Sequence, residues 1–488
     1  MAVIRVLGID LGTTALKVIV SDGNRVIAAA STPIITRKPK PLWSEQNPQD
    51  WWTALVRTCA RLARERPADW LDITAISFSG HMHGAVLVKD GKPLRPCILH
   101  NDGRATQEAA DLNDLLPDHA AIAGVRAMAG FTAPKLLWLK RHEPHNLANA
   151  DVVLPAKDYL RFKMTGELAT DPVDASGMWL LDVAKRQWNS DLASACGLRP
   201  SQLPRLQEAN RVAGRLSSAA AKLLGLKSGI AVVTGTGDAA ANSLGLGLIN
   251  EGDGVISLGT AAQIFVSKEA HVPAPQHNIH AFAHALPKRW FQMAAMLNGA
   301  SPLAWIAGRL GRADDIPALL RAVGKRMDQP SRLLFLPFLA GERTPYDDPA
   351  MRAAFHGLDS STDDIDLVRA VLEGVAYSLA DCYDVLTCRG TTPHTLFAVG
   401  GGLRSPLWAE IIASALGRSL NLIAASEHGG AIGAARLARM AVTGEAPEDI
   451  FRKPEKSVAV LPNSQWEAIY AERLALYRQL THALQPIR

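Results

Sequence analysis

The sequence predicts an α/β protein built from two large domains. Segments rich in β-branched residues alternate with segments whose apolar residues recur at helical spacing, as in sheets covered by helices. The chain has 488 residues, which is too many for one hydrophobic core. A short internal repeat, described below, also relates the two halves. We therefore predict an N-terminal domain of residues 1–249 and a C-terminal domain of residues 250–488.

The N-terminal segment predicts three strands, then a helix, then a fourth strand. The strands are VIRVLGID, ALKVIVSD and RVIAAA, separated by a Gly-rich turn and a tight turn at Asp22, Gly23 and Asn24. A helix is predicted from Pro48 to about Arg66, with Asn47 as its cap, because Pro suits the first helical position. The segment ITAISFSG then returns as a strand.

The remaining chain continues the alternation after a helical region. Residues 105–230 predict mainly helices broken by loops. Strand-like LLFLPFLAG, LFAVGGG and LNLIAA follow residue 330, and between and after them helices are predicted over Ile365–Leu386, from Leu407 and from Gly430. A last helix is predicted over residues 466–484.

Composition excludes several classes of protein. The net charge of +5 is small and evenly spread, so no nucleic-acid or anionic-membrane partner is indicated. The five cysteines lie far apart and form no CxxC pair, which argues against a disulfide framework and a zinc site. We find no secretory signal and no long apolar stretch, so we expect a soluble cytoplasmic protein.

The internal repeat aligns Leu7–Val20, LGIDLGTTALKVIV, with Gly254–Ser267, GVISLGTAAQIFVS. Both copies contain a strand, a Leu-Gly-Thr turn and a second strand, so we predict two domains of related fold that face each other. Asp10 precedes the first turn, whereas Ser257 holds that place in the second.

The first of these turns has the residues of a phosphate site. Gly12 allows the backbone to approach a ligand, and its amide and those of Thr13 and Thr14 can point at phosphate oxygens. Asp10 can hold Mg²⁺, and Lys17 can add positive charge. The alternative is that the glycines only form hairpin turns.

Two further Gly clusters occur in the C-terminal half. AVGGGLRSPLW places Gly400, Gly401 and Gly402 between a strand and a helix, where backbone can lie against a nucleotide. HGGAIGAARLA opens the next helix, and there close helix packing is an equally good explanation for the glycines. Neither cluster is a Walker P-loop.

Long motifs in order along the chain resemble the FGGY family of carbohydrate kinases. GFTAPKLLWLKRH and AAFHGLDSSTDDIDLVRAVLE are similar to the two family signatures, and within the family the members that phosphorylate xylulose are the most similar. The other matching segments are PLWSEQNPQDWW, HMHGA, LPAKDYLRFKMTGE, FLPFLAGERTP and AVGGGLRSPLW.

The resemblance implies two ribonuclease H-like domains of the actin-like, sugar kinase and heat-shock ATPase fold, with ATP and sugar in the cleft between them. It implies transfer of the γ-phosphoryl group of MgATP to a sugar hydroxyl. It places the general base at Asp238 and the metal-side acid at Asp10, and both carboxylates are expected near Mg²⁺. It places sugar contacts at Met82, His83 and Asp238. Its nucleotide contacts fall on Thr13, Thr260, Gly299, Gly401 and Gly402.

Asp238 stands in TGTGDAAANS among residues with almost no side chain. Phosphoryl transfer needs a base for the hydroxyl proton, and a carboxylate with an ordinary pKa near 4 is ionised at neutral pH. Gly235, Gly237, Ala239 and Ala240 are expected to clear the space for both substrates. The structural alternative for Asp238 is a helix N-cap.

His81 and His83 could suggest a metal, but two histidines without a third ligand are a weak signal. His83 can instead hydrogen-bond sugar hydroxyls. Rim or supporting groups are expected at Trp43, His100, Asn101, Asp102 and Arg104, whereas Trp51 and Trp52 are expected in the core.

Departures from the family pattern concern the sugar. Ala239, His81 and His100 stand where members that phosphorylate xylulose usually have Asn, Gln and Trp. We hypothesise that Asn242 or His81 replaces the missing contact. D-Xylulose, phosphorylated at O5, is the leading substrate, with a related pentulose or pentitol such as D-ribulose or arabinitol as the alternative.

Other classes use the same ATPase fold. A chaperone would need a peptide-binding C-terminal domain, for which the remaining chain is too short, and a non-catalytic ATP- and sugar-binding sensor would not need both Asp10 and Asp238. The resemblance is also compatible with a homodimer and with closure of the domains over the sugar.

Overall fold

Two seven-stranded sheets lie at the centres of the two halves of the chain. A computed structural model describes residues 4–388, 392–424 and 428–485. The predicted segments VIRVLGID and LNLIAA each extend by one residue or more outside these ranges. The main strands are β1 (Arg5–Leu11), β2 (Ala15–Ser21), β3 (Val26–Pro33), β4 (Ile73–Gly80), β5 (Ala231–Val233), β6 (Asp253–Leu258), β7 (Ala262–Lys268), β8 (Trp290–Met296), β9 (Thr395–Val399) and β10 (Leu420–Leu422).

The two sheets have the same central topology. In the first sheet the order is β5-β4-β1-β2-β3, with Val212–Arg215 beside β5 and Thr236–Gly237 on β4. In the second the order is β10-β9-β6-β7-β8, with Val458–Val460 and His280–Ala283 at its edges. In each, the first two strands form an antiparallel hairpin and the first strand pairs in parallel with a strand after a long connection. This duplicated order is the predicted fold.

The repeat differs between the halves by one residue. Leu11 pairs with Leu16 across the first turn, whereas Leu258 pairs with Ala262 across the second. The second turn is therefore one residue shorter, and the fixed alignment of the two sequences holds only up to the turn.

Helices cover both sheets. The principal helices are α1 (Pro48–Glu65), α2 (Thr132–His142), α3 (Ala156–Thr165), α4 (Pro172–Gly177), α5 (Asp238–Gly245), α6 (Asp364–Thr387), α7 (Pro406–Leu416), α8 (Gly429–Thr443) and α9 (Glu467–Leu484). Asn47 caps α1 as predicted, since its side chain accepts a hydrogen bond from the Gln49 amide. Trp51 and Trp52 are buried in the core beneath the first sheet.

Helix α8 belongs to the second half by sequence but packs against the first sheet and α5. A Cβ on Gly433 would overlap the Ala241 carbonyl, and a Cβ on Gly8 would overlap the Ala431 carbonyl. The glycines of HGGAIGAARLA therefore permit close helix packing, which was the structural explanation offered for them.

Residues 105–230 are more mixed than the sequence predicted. Helices there alternate with short strands, which the helical pattern hid because strands this short have almost no periodicity. These strands are Val152–Leu154, Ala169–Thr170, Leu181–Asp182, Gln187–Trp188, Arg205–Leu206 and Val212–Arg215. The other helices of this region are Thr106–Leu115, His119–Ala123, Pro144–Asn149, Ser190–Ala195 and Ser218–Leu224.

The remaining elements join these layers. The helices are Pro67–Leu71, Ser301–Arg309, Ile316–Lys325 and Pro447–Ile450. The strands are Glu45–Gln46, Val86–Lys89, Lys92–Pro93, Cys97–Ile98, Leu334–Leu336 and Ala354–His356. Within the described ranges, no helix combines the length and apolar character needed to cross a membrane. The boundary predicted between residues 249 and 250 falls between α5 and β6 and stays a prediction.

Candidate active site

Asp238 lies at the point where the first sheet ends and α5 begins. The short strand Thr236–Gly237 pairs in parallel with β4, which places Gly237 opposite Gly80. Gly237 is the N-cap of α5 and Asp238 is the first helical residue. The alternative that Asp238 is the cap is therefore wrong by one position. Its carboxylate accepts a 2.8 Å hydrogen bond from the Ala239 amide instead.

Most of the small residues around Asp238 allow close packing of the protein and do not border the cavity proposed for the substrate. Gly235 has a φ of +74°, and a Cβ there would overlap the Phe78 carbonyl. A Cβ on Gly237 would lie 2.5 Å from Cγ of Met82. Ala240 is buried in the core. Of the residues expected to clear space, Ala239 alone borders the cavity described below.

Asp10 stands near the end of β1, surrounded by three elements. Its Oδ1 accepts a 2.8 Å hydrogen bond from the Ser79 hydroxyl on β4. Lys17 lies opposite it on β2. A Cβ on Gly430, in the first turn of α8, would lie 2.9 Å from Oδ1 of Asp10. The absence of a side chain at Gly430 thus lets a helix N-terminus approach this carboxylate.

The two carboxylates influence each other electrostatically. Burial, followed by the negative charge of Asp10, raises the pKa of Asp238 to about 7. Burial also raises the pKa of Asp10, while Ser79, Lys17 and His428 oppose that rise. The expectation of an ordinary pKa for Asp238 is wrong, because the sequence does not reveal how deeply the group is buried or that a second acid faces it.

A cavity of about 170 Å³ lies beside Asp238. From the first half it is lined by the three residues predicted to contact the sugar, Asp238, Met82 and His83. Ala239, which was expected only to clear space, and His100, which was expected as a rim or supporting group, also line it. Met128, Gly130 and Phe131 complete that side. The second half contributes residues that sequence reasoning missed: Gln263, His280, Met293, Ala295 and Arg343. They line the cavity because the two halves lie side by side at this point.

Two of the missed residues, Gln263 and Arg343, lie in segments that the sequence patterns had already indicated. Gln263 lies just after the second copy of the Leu-Gly-Thr turn, and Arg343 lies in the FLPFLAGERTP motif. Both segments were identified without assigning a role to these side chains. Their position in the cavity depends on how the two sheets face each other, which no local pattern states.

The residues proposed to replace the missing family amide lie elsewhere. His81 is 2% exposed and packs edge-on against Trp51, with ring centroids 5.5 Å apart. The Asn242 side chain donates a 2.9 Å hydrogen bond to the Asp238 carbonyl and lies next to Gly429. Neither residue lines the cavity. The hypothesis that one of them contacts the sugar is therefore not supported.

The predicted rim residues Trp43, Asp102 and Arg104 contact one another. The Arg104 guanidinium lies 3.6 Å from the centre of the Trp43 ring and pairs with Asp102 at 2.7 Å. Asp102 also accepts a hydrogen bond from the Ser44 amide. Trp43 and Asn101 border an adjoining surface groove. This arrangement stiffens the loop beside His100.

A larger cleft of about 760 Å³ lies in the second half. Three predicted nucleotide contacts, Thr260, Gly401 and Gly402, line it. Its walls are mainly apolar, and they include Leu303, Ile316, Pro317, Leu320 and Leu407. A cleft with a glycine floor and apolar walls suits the flat face of a nucleotide base.

The glycines of this cleft differ in what they contribute. Gly400 has a φ of +117° and packs against the Leu258 backbone, so it needs to be glycine for the fold. Among the residues that the structure describes, a Cβ on Gly401 would meet no atom within 4 Å, so its absence leaves space in the cleft. Gly299 does not line the cleft, but its amide donates a 3.0 Å hydrogen bond to the Thr260 carbonyl.

The first hairpin turn lines neither of these two cavities. The Gly12 amide donates a 3.1 Å hydrogen bond to the Ala15 carbonyl, so it closes the turn and does not point at a ligand. The carbonyl of Thr13 accepts a hydrogen bond from Gln46. Thr14 and Lys17 complete the predicted set on this hairpin, next to Asp10.

Magnesium fits the acid pair. Mg²⁺ in kinases is held by one or two carboxylates together with substrate phosphates, and Asp10 and Asp238 supply two half-buried carboxylates whose raised pKa values a cation would lower. A separate acidic cluster, Asp158, Asp171 and Asp174, was not predicted. Its centre holds the Lys157 ammonium, 2.8 to 3.1 Å from each carboxylate, which takes the place that a metal would need.

The fold and site define a sugar phosphotransferase with two ribonuclease H-like halves. The N-terminal domain of the FGGY family of carbohydrate kinases matches residues 5–245, and the C-terminal domain of that family matches residues 254–442. The chain belongs to the FGGY family of carbohydrate kinases. It is therefore an enzyme that uses ATP with Mg²⁺ to phosphorylate a sugar hydroxyl.

Named relatives cover nearly the whole chain. The xylulose kinase of Escherichia coli (strain K12) is 40% identical over 484 residues, which is 99% of each chain. The xylulose kinase of Klebsiella pneumoniae is 38% identical over the same length and coverage. Among solved structures, a "xyloylose kinase" from Brucella ovis is 38% identical with a TM-score of 0.96, covering 99% of this chain and 100% of its own.

Proposed function

We propose that this enzyme phosphorylates D-xylulose at O5, converting D-xylulose and ATP to D-xylulose 5-phosphate and ADP. The observation that carries the proposal is the position of Asp238, a half-buried carboxylate that borders a small cavity with His, Gln and Arg side chains in its lining and that interacts electrostatically with Asp10. Relatives named xylulose kinases, nearly full-length and up to 40% identical, support this choice of sugar.

Asp238 is the proposed general base. A general base must be ionised to accept a proton. Burial beside Asp10 raises the pKa of Asp238 to about 7 without metal, and because a bound cation would lower that pKa, the carboxylate would be ionised at neutral pH. The sugar hydroxyl transfers its proton to the Asp238 carboxylate while its oxygen bonds to the γ-phosphorus and the bond to the ADP oxygen breaks. Asp10 and Asp238 are the proposed protein ligands of Mg²⁺, which neutralises charge on the phosphates when bound.

The proposed sugar site is closed by both halves. Met82 and His83 contact the sugar from the first half, while Gln263, His280 and Arg343 reach the same cavity from the second. A neutral polyol is bound by hydrogen bonds to its hydroxyls, and these side chains supply both donors and acceptors. Because contacts come from both halves, we propose that sugar binding favours the closed arrangement, which keeps water from the phosphoryl group.

Gln263 is our proposed substitute for the amide absent at Ala239. Its side chain reaches the cavity that Ala239 borders, and its amide offers the same donor and acceptor as the Asn of the family pattern.

The nucleotide is proposed to bind in the larger cleft. Thr260, Gly401 and Gly402 line it, and Gly299 supports Thr260 through its backbone. The phosphates would then extend toward Asp10 and the first hairpin, where Gly12, Thr13, Thr14 and Lys17 lie. The N-terminus of α8 next to Asp10 favours negative charge there.

The test is turnover by the purified chain with MgATP and a panel of D-xylulose, D-ribulose and D-arabinitol. We expect ADP release that depends on sugar, the highest kcat/KM with D-xylulose, and a 5-phosphate product by NMR. Asp238→Asn serves as the inactive control. A better substrate among the others would change the sugar, and sugar binding without turnover would favour a sensor.

The proposal includes a cytoplasmic enzyme that forms a homodimer. Light scattering during size-exclusion chromatography tests the homodimer, which a monomer mass at working concentrations would exclude. Fractionation of the producing cells tests the location.

A further inference from the structure

Lys135 is a fully buried lysine on an otherwise largely apolar helix face. Its side chain has 0% exposure, and its neighbours on α2, Leu136, Leu137 and Leu139, are buried in the core. Burial lowers the pKa of Lys135 to about 7. Asp102, the carboxylate that attracts it, is already paired with Arg104 at 2.7 Å. An apolar residue would pack here at lower cost, so the ammonium calls for a functional explanation.

The Lys135 ammonium connects two loops of the proposed sugar cavity. Its Nζ donates a 2.8 Å hydrogen bond to the His83 carbonyl and a 2.7 Å hydrogen bond to the Gly130 carbonyl. His83 and Gly130 both line the cavity. One buried side chain thus sets the distance between two cavity walls that are far apart in sequence.

His83 has a backbone conformation that needs such support. Its φ is +71°, in the left-handed region that residues with a side chain rarely adopt. Strained backbone of this kind persists only when surrounding contacts hold it. The bond from Lys135 to the His83 carbonyl is one such contact, and the packing of the His83 ring on Phe131, with centroids 4.7 Å apart, is another.

The His83 ring is oriented by a second hydrogen bond. Its Nδ1 lies 2.7 Å from the Gly177 carbonyl at the end of α4. A carbonyl only accepts, so Nδ1 carries the hydrogen. Burial lowers the pKa of His83 well below its ordinary value, so the ring is neutral. Nε2 is then an acceptor.

We propose that Lys135 is a positioning residue that holds His83 in this backbone conformation, so that Nε2 accepts a hydrogen bond from a sugar hydroxyl. This inference rests on the proposed function, since it specifies how the proposed sugar site recognises a hydroxyl donor. Lys135 itself does not line the cavity. Its effect on the sugar is exerted through His83 and Gly130.

The main test is Lys135→Met, with Lys140→Met on the exposed face of the same helix as the matched control. We expect the KM of the best sugar in the panel to rise at least tenfold, with kcat changed less than threefold. The Kd of a non-hydrolysable ATP analogue should stay unchanged, because the nucleotide cleft lies in the other half. Lys140→Met should match the unmodified enzyme. An unchanged sugar KM in folded Lys135→Met overturns the inference.

Two further variants separate positioning from general stability. A Cβ on Gly177 would lie 2.7 Å from Cε of Met82 and 2.9 Å from Nδ1 of His83, so Gly177→Ala displaces both proposed sugar contacts of the first half without altering Lys135. It should also raise the sugar KM, and an unchanged KM would overturn the inference even if Lys135→Met does not fold, because the position of the His83 ring would then not affect the sugar. In a His83→Ala background, Lys135→Met should add less than a twofold change. A full tenfold addition there would show that Lys135 acts independently of His83 and overturn the inference.

Failure of the proposed function is distinguishable from failure of this inference. If D-xylulose is not phosphorylated by the unmodified enzyme, the proposed sugar is wrong, and the same KM comparisons are made with the substrate that the panel identifies.

Discussion

The Thr236 hydroxyl donates a 2.9 Å hydrogen bond to Oδ2 of Asp171, which ties the strand before Asp238 to a buried ionic cluster. In that cluster the Lys157 ammonium lies 3.0 Å from Asp171. Asp171 also caps α4, whose last residue, Gly177, accepts the hydrogen bond from His83. The cluster therefore joins the supports of the proposed base and of the proposed sugar contact.

Lys157→Met should destabilise the protein strongly. It would leave Asp158, Asp171 and Asp174 buried, with Arg161 still paired with Asp158, and breaking a buried ion pair in this way costs about 3–5 kcal/mol. Urea unfolding followed by circular dichroism measures the loss. Lys222→Met, at an exposed position on another helix, is the control and should change the free energy of unfolding by less than about 0.5 kcal/mol. Equal stability of the two variants would contradict this account of the cluster.

Asp238→Asn should remove activity while stabilising the fold. Loss of a general base lowers kcat by about 10²–10⁴-fold. The folded-state pKa of Asp238, about 7, lies above its unfolded value, so the carboxyl favours the folded state at low pH and penalises it as pH rises toward 7. At pH 8 without Mg²⁺, the amide should raise the free energy of unfolding by roughly 4 kcal/mol.

The measurements for this variant are sugar-dependent ADP release and urea unfolding at pH 5 and pH 8. The stability gain should be larger at pH 8 than at pH 5. Full activity, or a loss of stability at pH 8, would contradict the assignment.

Acid should destabilise the enzyme through its buried histidines. Burial lowers the pKa of His81, His280 and His284 to about 3 and that of His100 to about 4. Because the unfolded chain binds protons near pH 6.5 and the folded chain does not, stability is present above that pH and is lost as pH falls. Each histidine should cost about 1 kcal/mol at pH 5.5.

Urea titrations between pH 7 and pH 5 test this dependence. His81→Gln, which removes one of the groups, should make the fall in unfolding free energy less steep. A slope equal to that of the unmodified enzyme would show that His81 takes no part.

Gln263→Leu should weaken the sugar and spare the nucleotide. Loss of one hydrogen bond costs about 1 kcal/mol, which corresponds to a roughly fivefold rise in the sugar KM. Initial rates at varied sugar and saturating ATP measure it. Ala239→Asn in the Gln263→Leu background should lower the sugar KM again in part, since it restores an amide beside the cavity. An unchanged sugar KM in the double variant would argue against the proposal that Gln263 substitutes for the amide absent at Ala239.

The sequence predicted the parts of the site that depend on local pattern. Hairpin and turn residues indicated Asp10 and the glycines of the cleft, which stand at strand ends and helix starts, whereas the role of Asp238 came from the family resemblance. Gln263, His280 and Arg343 could not be assigned because they reach the cavity across the interface of the halves. The raised pKa of Asp238 could not be foreseen either, since it depends on burial and on a partner far away in sequence.

The errors have the same origin. Asn242 follows Asp238 by one helical turn, but its side chain lies toward Gly429 and α8, which the helix pattern alone could not place. The Gly12 amide was expected to meet phosphate, and it closes its own turn instead. In both cases the local pattern identified a segment near the site. It did not determine which atoms the Asn242 side chain and the Gly12 amide contact.

Gly401→Val should weaken ATP binding without harming the fold. A Cβ on Gly401 meets no atom of the described part of the chain within 4 Å, and its φ of −62° suits any residue, so we expect the extra side chain to extend into the cleft. We expect the ATP KM to rise about tenfold, with the sugar KM and the free energy of unfolding little changed. Gly308→Ala, at another glycine with open space but in a helix, should leave the ATP KM unchanged and stabilise by up to about 1 kcal/mol. Steady-state kinetics at varied ATP and urea unfolding make both measurements, and an unaltered ATP KM in Gly401→Val would place the nucleotide outside this cleft.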